Sequence, residues 1–409
     1  MKLYKQNHFI ENKKENDIDN LLFENNPNFR YKENIVNDFD YSYWICDTFD
    51  IYHPLKEDKK ELYLVYSVFD IKIEINIIRI SDKKKIKSLS GHSNHIDKVK
   101  NFYNEKDKHN YLLSSDWNYT LFIWDLDNNY QIINKIITGY TNYLYSFLLY
   151  FKLNYVITST VGNSEQIDYI KIYSFKDGNL IRNIPNTDNN DTLYCLIWEK
   201  GQNEIYLVAC CYEKISIFNL LNNDLYGHLV TENKYSCGDF YLSGFISYDN
   251  KYLYTSSKNG YINIWDLNQK LLIQSILIPN SSLFKIIPWS TYVNYSIDKD
   301  DLKTYKNINN YILVCNKEKC AILYLNITFR NEIDFNEFTN KISNLEEEVF
   351  YKSQIINFIK NIKNSPIKMI KKIKHPLYGD SILCSDENYN IDLWVNNQPI
   401  MIDIFENNK

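Results

Sequence analysis

Apolar and polar residues alternate in short runs along this chain, and one run recurs. It reads apolar, variable, apolar, large aromatic or apolar, polar, apolar. Its clearest copies are Leu121-Phe122-Ile123-Trp124-Asp125-Leu126 and Ile262-Asn263-Ile264-Trp265-Asp266-Leu267. Weaker copies are Ile75-Asn76-Ile77-Ile78-Arg79-Ile80, Ile170-Lys171-Ile172-Tyr173-Ser174-Phe175, Ile215-Ser216-Ile217-Phe218-Asn219-Leu220 and Ile391-Asp392-Leu393-Trp394; the poorest is Cys320-Ala321-Ile322-Leu323-Tyr324-Leu325. Alternation with a period of two puts one face of a strand in a core, so each copy predicts a strand.

Taking the fourth position as a marker gives 78, 124, 173, 218, 265, 323 and 394, with successive spacings of 46, 49, 45, 47, 58 and 71. Four of the six spacings lie near the period of about 40–45 residues that a four-stranded propeller blade needs. A second β run precedes the good markers, as in Tyr111-Leu112-Leu113-Ser114-Ser115 and Tyr252-Leu253-Tyr254-Thr255-Ser256-Ser257. A polar turn joins the two runs. Six residues before Trp124, Trp265 and Trp394 stand Asn118, Asn259 and Asn388, and Asn tolerates the left-handed backbone of a tight hairpin.

With Gly91-His92 ahead of Trp124-Asp125, Ser-rich second strands, and the run Ser256-Ser257-Lys258-Asn259-Gly260-Tyr261-Ile262-Asn263-Ile264-Trp265-Asp266, the chain resembles the WD-repeat β-propeller family over most of residues 39–409. In that family a His, a second-strand Ser or Thr, a turn Asp and the Trp form a buried hydrogen-bonded chain. The resemblance implies His92, Ser114 or Ser115, and Trp124 in these roles, with Asn118 at the Asp position; Ser256, Asn259, Trp265, Asn388 and Trp394 are their counterparts in later blades. Gly139-Tyr140 stands at another Gly-His place, and Gly227-His228 is either a further one or part of a strand.

The expected fold is therefore all-β: a seven-bladed, WD-repeat-like propeller of four-stranded antiparallel blades with one inserted helix, six and eight blades being the alternatives. Residues 1–38 read as a disordered or extended tail, 39–333 as blades one to six, 334–365 as a helical insertion, and 366–409 as the last blade and ring closure. Gln398 to Phe405 is expected to supply the final outer strand. The helix rests on an Asp334-x-x-Glu337 capping box followed by Phe338, Ile342, Leu345, Val349, Ile356 and Ile359, interrupted at Lys352 and ended before Pro366. It is expected on the Gly-His face, where it docks on the ring, offers Leu345 and Val349 to a partner, or is partly disordered. Val161 to Asp168, widening a turn of the third blade, belongs to the same face, as do Trp117, Tyr119, Tyr140 and Tyr143, which together read as a protein-binding rim.

Composition agrees with strands: 36 Tyr and 21 Phe stand against two Ala, the best helix former. A net charge of −5 gives no positive field for nucleic acid or anionic lipid. Phe29-Arg30 and Phe329-Arg330 continue with Tyr31 and Asn331, so the Phe-Arg-Arg-Gly signature of phosphoinositide-binding relatives is missing, and with four Arg, bidentate phosphate recognition loses ground to peptide binding. Eight Cys without a Cys-x-x-Cys pair read as reduced thiols, and the longest apolar stretch, Tyr143 to Phe151, is far short of the roughly 18 residues of a membrane span. No nucleophile elbow, zinc-protease or phosphate-loop motif occurs, and among seven His only His92 and His95 are close, so no metal and no cofactor are expected. Three function classes follow: a non-enzymatic interaction scaffold in the lead, then a phosphoinositide or membrane-surface binder, then a hydrolase on a propeller. The leading reading is a cytoplasmic or else nuclear protein, monomeric or part of a complex, whose partners are proteins rather than nucleic acid or membrane.

Overall fold

The computed structural model describes residues 29–36, 49–55, 61–69, 73–140, 144–160, 169–185, 192–211, 214–222, 224–229, 241–247, 249–277, 285–288, 311–315, 319–324, 354–360, 367–375, 379–386 and 390–396. The regular elements among them are 28 β-strands. Numbered along the chain from β1 (Phe29–Val36), they fall into antiparallel sheets of four. The first blade is β2 (Phe49–Tyr52), β3 (Tyr63–Phe69), β4 (Ile73–Arg79) and β5 (Lys85–Ser90); the second is β6 (Ile96–Asn104), β7 (His109–Asp116), β8 (Thr120–Asp125) and β9 (Gln131–Ile137). The third is β10 (Leu144–Tyr150), β11 (Tyr155–Thr160), β12 (Tyr169–Ser174) and β13 (Leu180–Pro185); the fourth is β14 (Thr192–Gly201), β15 (Glu204–Cys211), β16 (Ile215–Asn219) and β17 (Leu225–Leu229). The fifth is β18 (Tyr241–Ile246), β19 (Tyr252–Ser257), β20 (Tyr261–Asp266) and β21 (Leu271–Leu277); the sixth is β22 (Lys285–Pro288), β23 (Tyr311–Cys315), β24 (Lys319–Tyr324) and β25 (Gln354–Lys360).

One further sheet is composite. It runs in the order β1-β28-β27-β26, from β26 (Ile367–His375), β27 (Gly379–Asp386) and β28 (Ile391–Asn396). The expectation of seven consecutive blades is thereby corrected: six blades are consecutive, and the outermost strand of the composite sheet comes from the N-terminal segment. Residues 398–405, expected in that place, lie outside the described residues. Part of the segment read as a tail is thus a strand, because Ile35 and Val36 are buried against Leu383, Ile391 and Leu393 of the composite sheet.

Each marker of the sequence repeat lies on the third strand of its sheet, and pairing with the outermost strand slips by one residue beside it every time. The slips fall at Ile77/Ile78, Ile123/Trp124, Ile172/Tyr173, Ile217/Phe218, Ile264/Trp265 and Ile322/Leu323, and at Leu393/Trp394 opposite Tyr31/Glu33. A bulge at a fixed position raises the local twist, which the propeller needs in every sheet. Two residues before the marker, a polar pair often ties the same strands: Ser88 to Asn76 (2.8 Å), Ser216 to His228 (3.1 Å), Ser275 to Asn263 (2.6 Å) and Asn34 to Asp392 (3.0 Å). His228 is therefore a strand residue of β17, which settles the Gly227-His228 alternative.

The core is a series of apolar layers between successive sheets. Tyr63, Val65 and Ile77 of the first blade meet Leu112, Phe122 and Trp124 of the second, and Leu313 and Cys315 of the sixth meet Ile370, Ile382 and Trp394 of the composite sheet. Leu64 and Ile78 of the first blade pack on Leu383 and Leu393 from its other side. Gly244 permits one such contact: a Cβ there would lie 2.5 Å from Tyr194 Oη and 2.6 Å from the Tyr254 carbonyl oxygen.

The helix expected over 334–363 is corrected where the structure describes it. Residues 354–360, including Ile356 and Ile359, form β25, the outermost strand of the sixth blade. Leu345 and Val349 lie outside the described residues. The connection 325–353 joins a third strand to a fourth, so it leaves from the end opposite the Gly-His loop, not from the same end as expected.

Candidate functional site

Gly91-His92 connects β5 to β6 and brings the imidazole beneath the β7–β8 turn, at the end of the second blade. There the side chains form a directed chain. Trp124 Nε1–H donates to Ser114 Oγ (2.8 Å), Ser114 lies 2.7 Å from His92 Nε2, and His92 Nδ1 lies 2.9 Å from Asp116 Oδ2. Burial lowers the His92 pKa against the opposing pull of Asp116, so the ring is neutral. A neutral ring fits every bond: Nδ1–H donates to Asp116, and Nε2 accepts the Ser114 proton. Phe122 stands edge-on to the imidazole at 4.4 Å.

Asp116 also builds the turn, its Oδ1 accepting the backbone N–H of Asn118 (3.0 Å) and Thr120 (3.1 Å). The acid of the chain is thus Asp116, and the assignment of that position to Asn118 is corrected. Asn118 performs a different task. It accepts from Asn94 Nδ2 (3.0 Å) and donates to Ser93 Oγ (3.2 Å), tying the Gly-His loop to the β7–β8 turn. The left-handed residue is its neighbour Tyr119, at φ 57°. Ser115 stands outside the chain; its hydroxyl donates to buried Asp97, whose pKa burial pushes up to about 6.

Other blades keep parts of this scheme. Trp265 Nε1–H donates to Thr255 Oγ1 (3.1 Å), so Thr255 takes the place expected of Ser256, which donates instead to the Ser243 carbonyl (3.4 Å). Asn259 is exposed in the β19–β20 turn, whose left-handed residue is Gly260 at φ 86°. Trp394 is buried beside Cys384, and Asn388 lies outside the described residues. In the third blade Tyr140 occupies the position of His92. Its hydroxyl lies 2.8 Å from Thr158 Oγ1, and Lys171 Nζ sits 4.2 Å from its ring. Tyr140 is 6% exposed, so its expected place on a binding rim is corrected to the core. Burial raises its phenol pKa.

The surface above this network carries aromatic rings. Trp117 is 37% exposed, donates its backbone N–H to the His95 carbonyl (2.9 Å), and meets the His95 ring edge-on at 4.7 Å. Tyr145, at the start of β10 on the same end, is also exposed, and Lys98 donates to its carbonyl oxygen. The sequence reading missed Tyr145, although it alternates with buried Leu144 as an outward residue should. Tyr119 is half-buried, and Tyr143 and residues 161–168 lie outside the described residues. Among the described residues, no three His, Cys, Asp or Glu side chains are grouped to hold a metal ion.

No protein-family model matches the chain, and no curated protein is similar to it in sequence, so the geometry of the propeller carries the functional reading.

Proposed function

We propose that this chain is a non-enzymatic interaction scaffold of the WD-repeat type. In this reading the composite sheet serves as a seventh blade that closes the ring, and the end bearing His92 is presented to protein partners. The observation that carries it is Trp117, a large exposed ring on a turn held from beneath by Asp116 and from the side by Asn118. A rigid aromatic anchor loses little conformational entropy on binding, which makes it a good interface residue. Tyr145 extends the same surface. The described cysteines Cys195, Cys210, Cys211, Cys315 and Cys384 are buried free thiols, which suits a reducing compartment, the cytoplasm or the nucleus.

Affinity capture from native extract, run with the wild type beside Trp117→Ala and Tyr145→Ala, tests this reading. Partners held at stoichiometric amounts by the wild type should be lost from the variants while the melting temperature stays unchanged. An identical captured set from all three proteins would sink it.

A further inference from the structure

We infer that the outer edge of β28 is shared by two strands of this chain, and that residues 400–405 replace β1 on it in a second closed form of the ring. The exchange is independent of the loop-end surface.

The outermost strands of the first, third, fourth and fifth blades meet their third strands in one register. Seven residues after the marker stand Lys85, Leu180, Leu225 and Leu272, each opposite the marker itself. Nine residues after it, beyond the slip, stand Lys87, Arg182, Gly227 and Gln274, opposite the residue before the marker. Eleven residues after it stand Leu89, Ile184, Leu229 and Ile276, all buried. The same count from Trp394 reaches Met401, Asp403 and Phe405, which this register sets opposite Trp394, Leu393 and Ile391. In the structure those three partners are taken by Tyr31, Glu33 and Val36 of β1. Both segments therefore offer a large residue, an acid and an apolar residue at the same three places. They also reach the edge from the same end, because Phe29 pairs with Asn396, the last residue of β28.

The balance between them has identifiable weights. β1 slips twice against β28, whereas the outermost strand of each of the six blades slips once. In its favour, Ile35 and Val36 are buried and Asn34 Nδ2 donates to Asp392 (3.0 Å), a bond that Ile404 in that place does not make. Pro399 weighs on the same side. Five residues after their markers, Lys83, Gly178 and Lys270 turn the chain with φ of 58°, 72° and 59°. A proline ring holds φ at about −65°, so the same turn through Pro399 is strained and β1 keeps the edge. Two packings separated by a modest bias coexist, with populations set by that bias. Exchange releases residues 29–36 without opening the ring.

Native-state hydrogen exchange on the full chain, read segment by segment, tests the inference. In the wild type, amides of residues 29–36 should be protected and those of 400–405 should exchange fast. Pro399→Gly should slow exchange in 400–405 by about tenfold and speed it in 29–36. The double variant Ile35→Asp, Val36→Asp should move protection to 400–405, keep β28 protected and lower the melting temperature by only a few degrees. Met401→Asp, Phe405→Asp should leave the melting temperature unchanged by itself. Combined with the β1 changes, it should strip β28 of protection and lower the melting temperature by far more than the two losses summed. Additive losses, an unprotected β28 as soon as β1 is weakened, or protection of both segments together in the wild type would each overturn the inference. So would protection of 400–405 that grows with protein concentration, which would assign the strand to a second copy.

Discussion

Removing the Asp116 carboxylate would strip the acceptor from the buried His92 Nδ1–H and release the amides of Asn118 and Thr120. A buried donor left without a partner costs about 1–3 kcal/mol. Asp116→Ala should therefore lower unfolding stability by at least that much, whereas Asn118→Ala, which breaks exposed bonds, should cost about 0.5 kcal/mol or less. Urea unfolding of the two variants separates them, and equal losses would show that the chain through His92 is not what holds this blade. His92 and Trp124, with Ser114 or Ser115 between them, were legible in the sequence through the resemblance of Gly91-His92, the Ser-rich second strand and Trp124-Asp125 to the WD repeat, and the structure selects Ser114. The acid was not, because Asp116 and Asn118 lie two residues apart, and only the strand boundary separates Asp116, the buried last residue of β7, from Asn118 in the exposed turn. Tyr140 was misread for a related reason: at the position of a buried His its ring fills the same place, and a hydroxyl bond to Thr158 makes burial of the phenol tolerable.

At the scale of elements, the third strands were the most legible, since each is flanked by sheets on both faces and its apolar alternation is strong. Outermost strands carry a weak pattern, because one edge and much of one face meet water. The pattern of β5, with exposed Lys85 and Lys87, and of β9, mostly exposed, shows this. β1, with the sequence Phe-Arg-Tyr-Lys-Glu-Asn-Ile-Val, read as a tail because its charges hide the two residues that enter the core. β25 was misread in the other direction. Its run Gln-Ile-Ile-Asn-Phe-Ile-Lys places apolar residues at steps that also suit a helix, and the upstream stripe continued into it. If β1 belongs to the composite sheet as described, Ile35→Ala should cost about 2–4 kcal/mol through the cavity left among Leu64, Leu383 and Leu393. Exposed Lys32→Ala on the same strand should change stability by about 0.5 kcal/mol or less. A neutral Ile35→Ala, measured by thermal or urea unfolding, would return residues 29–36 to the tail.

A ring of packed sheets is stable only if its last junction holds, and the innermost strands show how neighbouring blades are fastened. Lys98 of β6 donates to the Tyr145 carbonyl of β10, Ser146 Oγ of β10 accepts the Cys195 N–H of β14 (3.3 Å), and Ser243 Oγ of β18 accepts the Ile286 N–H of β22 (3.3 Å). At the closing junction one carboxylate reaches both ways. Asp50 of β2 lies 3.3 Å from Lys371 Nζ of β26 and accepts the backbone N–H of Asn101 in β6 (2.9 Å). The composite sheet, the first blade and the second blade are thus linked through a single buried side chain. Asp50→Asn keeps an oxygen for the Asn101 amide and removes the ion pair; Asp50→Ala removes both. The alanine variant should lose about 1–3 kcal/mol, the asparagine variant less, since the unsatisfied amide is the larger part of the loss. Native-state hydrogen exchange gives the sharper reading, because local opening at the junction can occur without global unfolding. The Asn101 amide should exchange much faster in Asp50→Ala and stay protected in Asp50→Asn, while amides of the fourth blade, remote from the junction, should be unchanged in both. Protection of the Asn101 amide in Asp50→Ala equal to the wild type would mean that the apolar layers among Leu64, Ile78, Leu383 and Leu393 close the ring without this carboxylate.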